Sequence, residues 1–158
     1  MNLQRLQWTK NVKDSDEWAY CEFKKGELFK LAWKDDEANA NRLERYDLIL
    51  LRQRGYVTHV VKVLNRQAER DDDPNVFNIY RIVEVVWALS STNPPLSRST
   101  NPPPSLKADL IFGYPEVLAY MGGDVMKLEE LPTFKKAWDD RGGLLAFQQH
   151  VQSGLTAT

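Results

Sequence analysis

Tyr46-Asp47-Leu48-Ile49-Leu50-Leu51-Arg52-Gln53, the pair Arg54-Gly55, and the return Tyr56-Val57-Thr58-His59-Val60-Val61-Lys62-Val63-Leu64 decide the fold. β-Branched and apolar residues dominate both arms, and a short turn carrying glycine separates them, which predicts a β-hairpin. Gly55 is free to take the positive φ that such turns need. A charged loop over 65–75 leads into a third run, Asn78-Ile79-Tyr80-Arg81-Ile82-Val83-Glu84-Val85-Val86-Trp87, so three consecutive strands are expected. Residues 48–51 are apolar on both faces, which predicts a strand buried on both sides, as in a curled sheet or small barrel covered by a helix. Alternation places Val57, His59, Val61 and Val63 on one face of the second strand, and Ile79, Arg81, Val83, Val85 and Trp87 on one face of the third.

Upstream, residues 1–16 are polar and read as irregular, 17–23 read as a strand, and 28–33 read as either a returning strand or a short helix. Acids at 35–37 and arginines at 42 and 45 bracket a short helix over 35–45. Downstream, Ser91-Thr92-Asn93-Pro94-Pro95 recurs as Ser99-Thr100-Asn101-Pro102-Pro103. Proline removes ladder donors, so 90–108 reads as a duplicated, extended insertion and not a central strand. Residues 110–114 form a short apolar strand or turn, 115–121 include one helical turn, and 125–128 form a last short strand. Pro132 opens a helix through Trp138, and a closing helix over 144–152 puts Leu144, Phe147 and Val151 on one face.

The chain has 158 residues, 42% of them hydrophobic, enough for one domain with a core of its own. No apolar run approaches the roughly 20 residues that span a bilayer, and the first residues lack the apolar centre of a signal peptide, so a cytoplasmic location without membrane association is expected. The single cysteine, Cys21, excludes an intramolecular disulfide and multi-cysteine metal sites. A net charge of −1 gives no global field for nucleic acid, so such binding has to come from a local patch. Lys24, Lys25, Lys30 and Lys34, and then Arg42, Arg45, Arg52 and Arg54, supply candidates.

The pattern supports no enzyme, and no cofactor or metal is expected. His59 and His150 lie far apart, no phosphate loop is present, and Asp71-Asp72-Asp73 reads as a solvated run. Thr58-His59 sits mid-strand among valines, either as a core histidine bonded to backbone or as a ligand contact in a barrel mouth. Arg81, on an apolar face, has to be paired, drawn to the rim, or holding a ligand. Trp33 and Trp87 are candidates to wall a pocket for a planar ring, although core packing is the commoner use of a tryptophan.

Trp33, the segment Asn39-Ala40-Asn41-Arg42-Leu43, the strand from Tyr46 to Leu51, and the valine-rich return Thr58-His59-Val60-Val61-Lys62-Val63 together resemble EVE domains, members of the PUA-like group with ASCH and YTH domains. The likeness covers 33–87. The family's Gly-Asp dipeptide is Tyr46-Asp47 here, and the charged loop and Pro-rich insertion have no place in its pattern. The resemblance implies an α+β fold, a small mixed β-barrel of PUA-like type with peripheral helices. The single domain would span 1–158, with 90–108 as an inserted loop. It also implies a non-catalytic module that binds DNA or RNA, with a modified or flipped base in an aromatic-lined pocket, in RNA modification or in defence against foreign DNA. By this match Trp33 and Lys34 lie near the pocket entrance, Arg52 and Gln53 at the end of the first hairpin strand, and Thr58 and His59 on its partner. Arg81 and Trp87 complete the candidate ligand-binding set. Two other readings stand beside it: a protein-interaction module, which predicts an exposed apolar patch, and an enzyme using His59 as acid or base, which predicts that ring exposed in a cleft.

Overall fold

Arg54 and Gly55 both take positive φ, +54° and +86°, and Gln53 pairs with Tyr56 across them. This is a two-residue turn of type I′, whose twist matches that of the strands it joins. The computed structural model describes residues 2–12, 18–34, 36–71, 78–89, 111–113 and 115–156. Among them, seven strands form one sheet: β1 (Leu6–Asn11), β2 (Leu28–Trp33), β3 (Leu48–Gln53), β4 (Tyr56–Val63), β5 (Glu69–Arg70), β6 (Ile79–Ala88) and β7 (Val125–Lys127). The order is β2-β6-β4-β3-β1-β7, with β5 beside the start of β6. All pairings are antiparallel except β1 with β3. Besides four short 3-10 helices, three α-helices of the described residues accompany the sheet: a single turn α1 (Glu37–Ala40), α2 (Pro132–Trp138) and α3 (Gly143–Thr156). None of them is long and apolar enough to cross a membrane.

The sheet curls into a half-barrel with a core on each face, while Leu28 and Lys30 of β2 and Tyr80, Ile82, Glu84 and Val86 of β6 stay partly or fully exposed. One face packs Leu48, Leu50, Val60 and Trp87 against Phe134, Trp138, Phe147 and Val151 of α2 and α3. The other closes around Trp8, Leu31, Trp33, Ile49, Leu51 and Val61. Leu48 to Leu51 of β3 therefore divide between two cores, which is why the stretch is apolar at every position. Each such side chain contributes about 1.5–3 kcal/mol on burial.

Asn39 draws the two edges of the sheet together. Its Oδ1 accepts from Trp33 Nε1 at the end of β2 (2.8 Å) and from Val125 N at the start of β7 (2.7 Å), while its Nδ2 donates to Val125 O (3.1 Å). A side-chain amide carries a donor and an acceptor spaced as a peptide group carries them. Here it takes the place of a strand neighbour on Val125. Asp36 caps α1 by accepting from Asn39 N (2.9 Å), which fixes the residue that makes the closure.

Several expectations need correction. The first residues are not irregular: Leu6–Asn11 form β1, inserted between β3 and β7. Residues 18–23 are turns, not a strand, because Tyr20 and Phe23 fold back to stack on Phe29 of β2 at 4.3 and 4.9 Å. The expected helix over 35–45 narrows to the single turn α1. Two β-bulges change the face assignments. Arg52 pairs with Val57 while Leu51 pairs with His59, so Thr58 is an extra residue and Val57 joins the α2/α3 side. Val60 pairs with Trp87 while Val61 pairs with Val85, so Val86 is extra and Trp87 leaves the face that carries Arg81, Val83 and Val85. A bulge inserts one residue and inverts the alternation beyond it. The Pro-rich segment 90–108 lies outside the described residues, as do Leu110 and Tyr114.

Candidate functional site

The eight residues singled out from sequence lie in separate surroundings. Trp33 is 1% exposed, bonded to Asn39, with the Lys10 ammonium 4.8 Å from its ring centre. Lys34, which follows it, is exposed. Trp87 lies on the opposite face of the sheet, edge-on to Phe112 at 5.1 Å, so the two tryptophans do not wall one pocket. Arg52 is buried, and its Nη1 donates to Asn11 Oδ1 (2.9 Å) and Leu118 O (2.8 Å). Gln53 accepts from Ala19 N through Oε1 (2.7 Å).

His59 is 1% exposed. Its Nε2 lies 3.1 Å from the Tyr20 carbonyl oxygen, and its Nδ1 lies 2.8 Å from Thr58 Oγ1. A carbonyl only accepts, so the proton sits on Nε2 and the Thr58 hydroxyl donates to Nδ1. Burial pulls the imidazole pKa down to about 4, against the opposing pull of the Tyr20 carbonyl and Glu22. The ring is neutral at pH 7. Thr58 thus spends its hydroxyl on the neighbour that the bulge brings beside it.

Arg81 is fully buried. Its Nη1 donates to the carbonyls of Ala40 (2.8 Å) and Leu43 (2.7 Å), its Nε to Asn65 Oδ1 (2.9 Å), and its Nη2 to Asn65 O (2.6 Å). The guanidinium therefore satisfies carbonyls at the end of α1, where a helix leaves them unpaired and where positive charge is favoured. It also pins the start of the charged loop onto β6.

An open groove of about 710 Å³ lies elsewhere, where the turn before β3 meets β4 and β6. Leu48, Val85 and Val86 border it, of which only Val86 is partly exposed, and Arg5, Lys25 and Lys62 line it with one carboxylate, Glu84. Lys62 Nζ stands 3.8 Å from that carboxylate. Tyr46, 48% exposed, stands on the rim, with the Arg45 guanidinium 4.7 Å from its ring centre. Gly26 bounds the other side at φ +91°, its amide donating to Val85 O (2.8 Å).

A second, more polar cleft of about 560 Å³ shares Asn2 and Arg5 with the first. The buried Trp8 is among its lining residues, its ring faced by Arg42 at 5.0 Å and Lys127 at 5.5 Å. Asp47 lines this cleft and holds Arg5, which the two clefts share. Its carboxylate accepts from Trp8 Nε1 (3.1 Å), from Glu44 N (2.8 Å) and from Arg5 Nη2 (2.9 Å). None of the eight candidate ligand-binding residues lines either cleft. Arg45 and Lys25 carried a signal in the sequence, as members of local cationic runs. The Val86 bulge and the Tyr46 turn conformation carried none.

This arrangement suits a planar group between Tyr46 and Val86 and an anion on the rim. It holds no nucleophile paired with a base, and no group of three or more His, Cys, Asp or Glu side chains among the described residues is placed to hold a metal ion. Compared with protein-family models, with characterised proteins and with solved structures, the chain matches none.

Proposed function

We propose that the chain is a non-catalytic nucleic-acid-binding module, a half-barrel of PUA-like type acting in the cytoplasm, whose contact surface is the groove between Tyr46 and Lys25. The observation that supports this reading is the groove's composition: an exposed aromatic ring on the rim, the partly exposed Val86, and the cations Lys25, Lys62 and Arg5, the last two set beside Glu84 and Asp47. Phosphates supply most of the affinity of such modules and bases fill apolar, aromatic surface. In this reading a base, modified or not, lies between Tyr46 and Val86, and the phosphates beside it meet Lys25 and Lys62. The Trp8 cleft, with Arg42 and Lys127 at its mouth, extends the cationic surface from Arg5. A protein-interaction role finds less support, since among the described residues the large exposed apolar side chains, Leu28, Tyr46, Met121 and Leu145, come from separate segments of the chain.

The test is fluorescence anisotropy with labelled oligonucleotides across a salt series. Binding should weaken steeply with salt. The double substitution Lys25→Gln/Lys62→Gln should flatten the slope of log K against log salt by about 0.7 for each phosphate of a single strand that no longer meets a cation. An unchanged slope, or no binding at low salt, refutes the assignment.

A further inference from the structure

Three non-glycine residues among those described hold positive φ: Tyr20, Tyr46 and Arg54. Two have a structural reason. Arg54 shares the type I′ turn with Gly55, and Tyr20 packs its ring on Phe29 at 4.3 Å while its hydroxyl accepts from Ala32 N (3.2 Å). Tyr46, at φ +76°, has no such reason in its side chain, which stands 48% exposed.

The turn itself is held by backbone and by a neighbour. Tyr46 N donates to Val63 O (2.6 Å), Val63 N donates to Asp47 O (2.9 Å), and Asp47 N donates to Glu44 O (3.1 Å). Glu44 N donates to the Asp47 carboxylate (2.8 Å). Glycine would make the same backbone hydrogen bond at position 46 and would take the left-handed conformation without steric cost. A tyrosine is strained here, and strain that the surroundings over-determine is found where a side chain has other work. The ring's setting indicates that work. Arg45 covers one face of it, and the partly exposed Val86 and Lys62 line the same groove.

We infer that Tyr46 is a stacking platform for one unpaired base, so that the groove selects single-stranded over double-stranded nucleic acid. This rests on the proposed function of the same groove. A base in a duplex has both faces occupied by its neighbours, whereas an unpaired base offers a free face to an aromatic ring. Arg45, over one face of the ring, adds positive charge near the strand.

Three variants, with single-stranded, duplex and poly-glutamate probes, test this. Labelled 12-mers of uridine or thymidine, and a duplex of equal length, are titrated into the full chain at low salt. The wild type should prefer the single strands. Tyr46→Gly should bind them about tenfold more weakly, with the salt slope unchanged and the thermal midpoint at or above that of the wild type. Tyr46→Phe should keep wild-type affinity. If Tyr46→Gly binds as the wild type does while Lys25→Gln/Lys62→Gln loses affinity, the platform is refuted and the groove stands. If the wild type prefers the duplex, or takes up poly-glutamate as tightly as the oligonucleotides, the inference fails on specificity. If no oligonucleotide binds the wild type at all, the reading of the groove fails and takes the inference with it.

Discussion

Replacing Asn39 by alanine should open the half-barrel at its seam, and its cost can be worked from three hydrogen bonds. The amide satisfies Trp33 Nε1, Val125 N and Val125 O at 2.8, 2.7 and 3.1 Å. Trp33 is 1% exposed and Val125 fully buried, so water does not readily replace the lost partner. A net hydrogen bond contributes about 1 kcal/mol, and a buried group left without one costs about 1–3 kcal/mol. Asn39→Ala should therefore lose about 3–5 kcal/mol, a large share of the ~5–15 kcal/mol that holds a typical domain. Urea unfolding followed by tryptophan fluorescence measures the loss, and hydrogen exchange at Val125 N locates it. Asn39→Asp separates hydrogen bonding from packing. Its carboxylate still accepts from Trp33 and Val125 but meets the Val125 carbonyl oxygen with a lone pair. Only the protonated acid donates there, so the folded pKa should rise above the unfolded value of about 3.9. The stabilising bond is then fully present below that unfolded pKa and is lost as pH rises through the folded one. Relative to the wild type, Asn39→Asp should be weak at pH 7 and recover towards pH 4. A loss below ~1 kcal/mol in Asn39→Ala, or an Asn39→Asp pH profile parallel to that of the wild type, refutes the closure.

Two further predictions concern buried titratable groups. The His59 pKa is lowered to about 4 by burial, so the unfolded chain binds the proton first on acidification; the stability contributed by the neutral ring is complete above the unfolded pKa of about 6.5 and falls by roughly 3 kcal/mol as pH drops to 4. In His59→Gln the loss over that window should shrink, as read from urea midpoints at each pH. Lys10 donates to Gly123 O (2.8 Å), and burial pulls its pKa down to about 8 against the attraction of Asp124. Between pH 8 and 10 the unfolded chain keeps that proton and the folded chain sheds it, so stability should rise by about 2–3 kcal/mol relative to Lys10→Met; a constant difference between the two proteins across this window removes the effect.

The hairpin and the third strand were legible because β-branched alternation and an Arg-Gly turn carry their own signature. The closing helices were legible from Pro132 and from the spacing of Phe147 and Val151. β1 was not, since Gln7, Lys10 and Asn11 dilute its pattern; Lys10 is buried only because Gly123 and Trp33 receive it. Residues 18–23 misled because rings at 18, 20 and 23 look like strand residues, yet they serve a turn that covers Phe29. Face assignments ran correctly to each bulge and inverted past it, since nothing local marks Thr58 or Val86 as an extra residue. Arg81 was legible as a charge that required partners; that those partners are the carbonyls of Ala40, Leu43 and Asn65 is a fact of tertiary structure. The groove escaped sequence reasoning because a bulge and a left-handed tyrosine, not a motif, build it.

The position of β1 has a consequence for how the chain reaches this shape. It precedes the other strands in the chain, yet it pairs in parallel with β3 and on its other edge with β7, from the last third of the sequence. Parallel and long-range pairings require loop closure before they return any contact energy, so assembly at β1 should be slow beside formation of the β3–β4 hairpin. Until β7 emerges from the ribosome, one edge of β1 is an open template for another strand. Lys10, Asn11 and the flanking polar residues then act as gatekeepers, keeping that edge unattractive to other nascent chains until its partner arrives.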